Sequence, residues 1–306
     1  MLFLIIALGA GLILAAQNAI NAELSACLKS PIAASFLGYI VGTLFLFVLT
    51  IIIGDFAKIT DLFSAPLWLL SGGLFGLIFV TSCIILFPKI GAVETVMLPT
   101  LGQIVAGMLF ETVGWFNVDI IPMTLLRIVG LIVLLLGTYI AVVLATQRKT
   151  LASRTQNNQT SSRLVLRLWA FGAGVLCTVQ STFNGQLGSL IDSPTVSALW
   201  AFVIGLIVLV FLKPNTWQVF ILGVKMPQSW SAGVAGGTFV TLMSLLIPKL
   251  GPGLTVSIST LGVMVGAMLV QQFGLFKSSR QNVSVTQVCL LYTSDAAEDS
   301  LRVDLG

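Results

Sequence analysis

The chain contains no histidine in 306 residues, and only 8% of its residues are charged. The first absence removes the commonest metal ligand and the usual proton carrier near neutral pH. The second excludes an ordinary water-soluble domain, in which about 25% of residues carry charge. Cysteine is also scarce. Cys27, Cys83, Cys177 and Cys289 lie far apart, with no CxxC and no metal-ligand spacing. They offer neither a disulfide framework nor a zinc site, so no metal and no cofactor are expected. The net charge of +4 is spread over loops without a basic, aromatic-interleaved face, which argues against nucleic acid as a partner. The GGLFG segment at Gly72–Gly76 is not a nucleotide loop, because no GK[ST] follows it.

Apolar sequence is abundant, at 57%. One core in a chain of this length could not bury so much apolar surface. The apolar residues fall in runs of about 20, the length that crosses a bilayer as a helix. Nine spans are expected: 2–27, 32–53, 67–87, 91–113, 123–146, 168–190, 195–212, 230–247 and 251–273. Helices follow because lipid cannot satisfy an open backbone. Met1–Ala16 is apolar but lacks the positive n-region of a signal peptide, so it is read as part of the first span. Gln147–Arg167 is polar and rich in Ser, Thr and Asn, and is read as a linker.

The two sides of this linker match. LGAGLILAAQNAINAEL (Leu8–Leu24) aligns with FGAGVLCTVQSTFNGQL (Phe171–Leu187). Gly9, Gly11, Gln17, Asn21 and Leu24 answer Gly172, Gly174, Gln180, Asn184 and Leu187, and the same shift pairs Pro31 with Pro194 and Gly42 with Gly205. Ser71–Thr81 pairs with Ser231–Thr241, and Phe87–Gly102 with Ile247–Gly262. Shared hydrophobicity alone does not place Gln, Asn, Pro, Lys and Gly in matching order, so the chain is an internal duplication. The expected organisation is a first five-helix repeat at 1–146, a cytoplasmic linker at 147–167, and a second, incomplete repeat at 168–288.

Charge gives the orientation. With the N-terminus outside, Lys29, Lys89, the linker cluster from Arg148 to Arg167, Lys213, Lys225, Lys277 and Arg280 fall on the cytoplasmic side. Only Lys58, Arg127 and Lys249 fall outside. The positive-inside rule therefore favours N-out. Five spans per repeat is odd, so the second copy enters from the opposite face. Such inverted repeats are a recurring transporter architecture with the site at the midplane. The expected fold class is an all-α membrane protein, an inverted repeat of two five-helix units, self-contained as a fused antiparallel pair in the lipid bilayer.

A tenth span should begin near Val283. Instead Cys289–Gly306 carries Asp295, Glu298, Asp299 and Asp304, and four carboxylates do not cross a bilayer cheaply. Residues 289–306 read as a non-native tail, with a genuine polar tail as the alternative.

The residues of the repeat also carry a resemblance. The GxxxxxQxxxNxxL pattern of the first span, the following Pro31, and Gly38–Thr43 (GYIVGT) resemble the YdcZ branch of the drug/metabolite transporter superfamily. The second half is similar over the same motif. The resemblance implies a multi-pass protein of the bacterial inner membrane with five helices per unit. It does not supply a substrate.

Five residues are the candidates for chemistry. Gln17 and Asn21 are four apart and share a helix face, and Gln180 and Asn184 repeat the arrangement. They are the expected substrate-binding residues; the alternative is that they are interhelical glue. Glu94 is the one carboxylate placed well inside a span, where an acid is a functional candidate by default. Its expected role is proton coupling, against the alternative that it is solvated near Lys89. Glu23 and Glu111 are read as interfacial. Gly72-x-x-x-Gly76, Gly233-x-x-x-Gly237 and Gly262-x-x-x-Gly266 mark close helix contacts, and Pro99 marks a kink. The expected function is secondary transport of a small metabolite or drug-like molecule. A channel or a helical scaffold is the alternative. A membrane-embedded enzyme is less expected, since no convergent set of catalytic side chains is present.

Overall fold

The computed structural model describes residues 1–90, 92–125, 127–130, 132, 160–212, 221, 223 and 225–277. These form α1 (Leu2–Leu28), α2 (Pro31–Ile53), the one-turn α3 (Leu67–Leu70), α4 (Gly72–Ile90), α5 (Ala92–Val113), α6 (Thr160–Leu190), α7 (Pro194–Leu212), α8 (Pro227–Leu250) and α9 (Pro252–Phe273). No strand occurs among the described residues. Eight of the nine expected spans are there, each long and apolar enough to cross a membrane, so this is an all-α membrane protein. Most of the expected fifth span, 123–146, lies outside the described residues, as does the tail at 289–306. The linker is shorter than expected: α6 begins at Thr160, so Arg163 and Arg167 belong to a helix. Their long charged side chains at a helix start are compatible with a span whose apolar run begins just after them.

Local chemistry sets the helix ends, and it does so twice. Lys29 turns the chain after α1 with φ 51°, and Asp192 turns it after α6 with φ 51°. The next residue in each half is a serine whose Oγ accepts from a backbone N–H three residues on: Ala33 to Ser30 at 3.3 Å and Val196 to Ser193 at 3.2 Å. Each serine precedes a proline at the first helical position, where its missing N–H costs nothing. Such a cap contributes about 1 kcal/mol.

The halves interlock rather than sit side by side. α1 packs on α9, and its mate α6 packs on α5. The contacts are backbone to backbone. A Cβ on Gly11 would lie 1.8 Å from the Ser259 carbonyl oxygen, and one on Gly174 would lie 1.9 Å from that of Pro99. Gly174 is the repeat mate of Gly11, and Pro99 of Ser259. Small residues at such crossings let van der Waals packing and backbone proximity hold helices together where lipid gives no hydrophobic drive.

Candidate functional site

The bundle has two ends. At one lie the end of α1, the start of α2, the end of α4 and the starts of α5, α6 and α8. Two contacts link them: Arg167 of α6 to Glu94 of α5, and Gln228 of α8 to Glu23 of α1 at 3.1 Å. At the other lie the ends of α5 and α6 and the start of α9.

A cavity of about 450 Å³ reaches from mid-bundle, at Leu14 and Ser259, to the first end at Ala26, Pro31 and Phe87. Pro99, inside the continuous helix α5, lines it. A smaller recess of about 40 Å³ continues from it, sharing Leu14, Asn21, Phe79 and Val80. Gln17 and Gln180 line the recess from opposite halves. Each amide is seated on a glycine of the other half. A Cβ on Gly236 would come within 2.5 Å of Gln17 Nε2, and one on Gly76 within 2.6 Å of the Gln180 carboxamide. The Gly72-x-x-x-Gly76 pattern thus serves the amides as well as helix contact.

Three of the four expected amides therefore meet at one place. The fourth does not. Asn184 lies in neither cavity's lining. It packs against Gly72, and its backbone oxygen accepts from Ser197 at 2.6 Å and Ser244 at 2.7 Å. The reason is its end of the bundle: Asn21 sits toward the open end and its mate toward the closed one.

Aromatic side chains fill that closed end. Phe116 lies 5.0 Å from both Phe110 and Phe183, centroid to centroid, and Trp68 lies 5.0 Å from Phe183. Gln186 donates to the Phe116 carbonyl. The repeat mate of Phe116 is Phe276, which has the same left-handed backbone (φ 59° and 54°) but is exposed. Trp68, Phe110 and Phe183 are answered at its end by Gln228, Val270 and Ile20.

The two buried acids of α5 mark its two ends. Glu94 is 5% exposed, so it is not solvated as the simpler reading had it. Arg167 Nε donates to Oε2 at 2.8 Å and Nη2 to Oε1 at 3.0 Å. Glu111, expected at the interface, is fully buried. It accepts from Arg127 Nη2 at 2.9 Å and from the Gly253 backbone N–H at 2.7 Å. A buried charge must be paired in this way. The sequence signal for it was Arg127, a lone basic residue near the start of a span. Among the described residues no group of His, Cys, Asp or Glu is placed to hold a metal ion.

The family model described as "Putative inner membrane exporter, YdcZ" matches residues 2–140 and again residues 165–293. The two matches fall on the two halves. A comparison with curated proteins found no match.

Proposed function

The chain belongs to the YdcZ family of inner membrane exporters, and from that premise we propose that it is a secondary transporter moving a small molecule through the cavity between its halves. It is a multi-pass protein of the inner membrane, as the family and the eight long apolar helices agree. The observation that carries the reading is the asymmetry of a symmetric frame. One end holds a cavity reaching mid-bundle, with Ala22 and Ser25 of α1 and Ile84 and Phe87 of α4 in its wall, while at the other end their repeat mates are in contact: a Cβ on Gly185 would lie 3.0 Å from Ile247, and one on Gly188 2.6 Å from Ser244 Oγ. Two inverted copies that exchange these states expose the site to each side in turn. Gln17, Asn21 and Gln180 are the substrate-binding residues in this scheme. Asn184 becomes their counterpart when the other end opens.

Glu94 is the proposed proton carrier. Its carboxylate is held by Arg167 at the cavity's end of α5, so protonation would free Arg167 and loosen α5 from α6.

The test uses full-length protein in proteoliposomes, with a cargo found by thermal-shift screening. A pH gradient should drive its accumulation. Glu94→Gln should abolish gradient-driven uptake and keep cargo exchange at equal concentrations. Undiminished gradient-driven uptake by Glu94→Gln would remove the coupling role. Absence of exchange for every stabilising cargo would remove the transporter reading.

A further inference from the structure

The lining of the site points to the kind of molecule it takes. Resting on the transporter reading above, we propose that the cargo is an electrically neutral amphipathic molecule, with an N–H or O–H donor seated in the recess at Asn21 and an apolar body in the larger cavity.

The first observation is the absence of charge. Among the described residues lining the cavity and its recess, none is acidic or basic. The nearest carboxylate along α5, Glu94, is already bridged by Arg167. A charged cargo would leave water for this site without a counter-ion, at a cost far above that of a hydrogen-bonded neutral group. The second observation is an unmet acceptor. Asn21 is 5% exposed and lines both the cavity and the recess. Its Oδ1 has no hydrogen-bond partner. A buried carbonyl without a donor is unfavourable, and a donor on the cargo would satisfy it. Ser35 Oγ, buried in the wall of the same recess, is also without a partner and can give or take a second bond. The third is the body of the cavity. Phe79, Val80, Ile84 and Phe87 present an apolar wall over most of the roughly 450 Å³. That is the makeup of sites that bury drug-sized ligands and fix them by a few polar groups.

Cys83 lines the cavity and gives the readout. Full-length protein carrying Cys27→Ser, Cys177→Ala and Cys289→Ser, in nanodiscs, is alkylated at Cys83 in the presence of three probes of one skeleton. These are naphthyl carboxamide, naphthyl trimethylammonium and naphthyl carboxylate. The carboxamide should protect Cys83 saturably, at a concentration at least about tenfold lower than either ion. Asn21→Ala should raise that concentration by about tenfold, and Thr100→Val, on the same wall, by less. Equal or better protection by either ion overturns the proposal, and needs no variant. So does unchanged protection in a folded Asn21→Ala protein. Ranked protection without exchange in vesicles would overturn the transporter reading alone. Exchange confined to charged cargo would overturn the neutral site alone.

Discussion

Tyr39 and Phe202 occupy equivalent positions in the two halves and lie against each other, with ring centroids 4.9 Å apart and planes at 36°. Gly42, three residues after Tyr39, faces Phe202, and Gly205, three residues after Phe202, faces Tyr39. The two copies are thus related through this contact, and at helix crossings that the two halves share an equivalent substitution should have an equivalent effect.

The glycines of α1 and α6 test that. Gly11→Ala and Gly174→Ala should each destabilise by about 1–3 kcal/mol or more, because the new methyl meets a carbonyl oxygen of α9 or α5. Gly9→Ala and Gly172→Ala meet nothing within 4 Å. They should be neutral, or stabilising by up to about 1 kcal/mol through helix propensity. Thermal unfolding in detergent ranks the four. A loss at Gly9 equal to that at Gly11 would contradict the crossing geometry.

A second prediction concerns Glu111 and Arg127, whose side chains are 0% and 3% exposed. Removing either alone, as Glu111→Leu or Arg127→Met, leaves a buried charge and should cost about 3–5 kcal/mol. The double variant should recover most of it. A double-mutant cycle on unfolding midpoints measures the coupling. Additive losses would mean that the pair is not a unit in the folded protein.

Much of this architecture could be read from the sequence, for physical reasons. A span in lipid must be a long apolar helix, so the eight spans that the structure describes were legible from run length alone. Gln17 and Gln180 stood out because polar residues within apolar runs are few. Position along the helix was less informative. Asn21 and Asn184 have the same sequence context, and only the state of each bundle end separates them. Glu111 looked interfacial because it is near the end of α5. Its partner Gly253 lies in the other half, at a sequence distance that no local pattern encodes. Arg167 was assigned to the linker because charge ends an apolar run, although the helix itself begins earlier.

Outside the spans, Asp55 should make the closed end sensitive to acid. Ser193 donates to its carboxylate at 2.6 Å. That bond, assisted by Lys58 at 3.1 Å, holds Asp55 below the usual carboxylate range. Lys58 is correspondingly raised, chiefly by its bond to Asp55. A depressed acid contributes its stability in full above the ordinary carboxylate value and loses it as pH falls through the lower folded value. A raised lysine contributes below the ordinary lysine value and loses it only as pH rises past the higher one. The contact should therefore hold from about pH 5 to pH 9. A spin label at Asp61→Cys should keep one lineshape across that window and gain mobility only in stronger acid. Ser193→Ala should bring the acid transition up toward the ordinary carboxylate range. An unmoved transition would exclude Asp55 as the titrating group.

The last prediction fixes the open end of the cavity to a side of the membrane. The charges gathered near the end of α1 and the start of α6, among them Lys29, Lys89, Arg163 and Arg167, place that end in the cytoplasm by the positive-inside rule. Cys27 is exposed there, while Asp61 sits in the 3-10 segment Asp55–Ser64 at the opposite end. In intact cells, a membrane-impermeant maleimide should label Asp61→Cys in a Cys27→Ser background and leave native Cys27 unlabelled until the cells are opened. The reverse pattern would invert the molecule. It would also make the state with the cavity at Ala26 and Pro31 an outward-facing one, from which an exporter releases cargo rather than collects it.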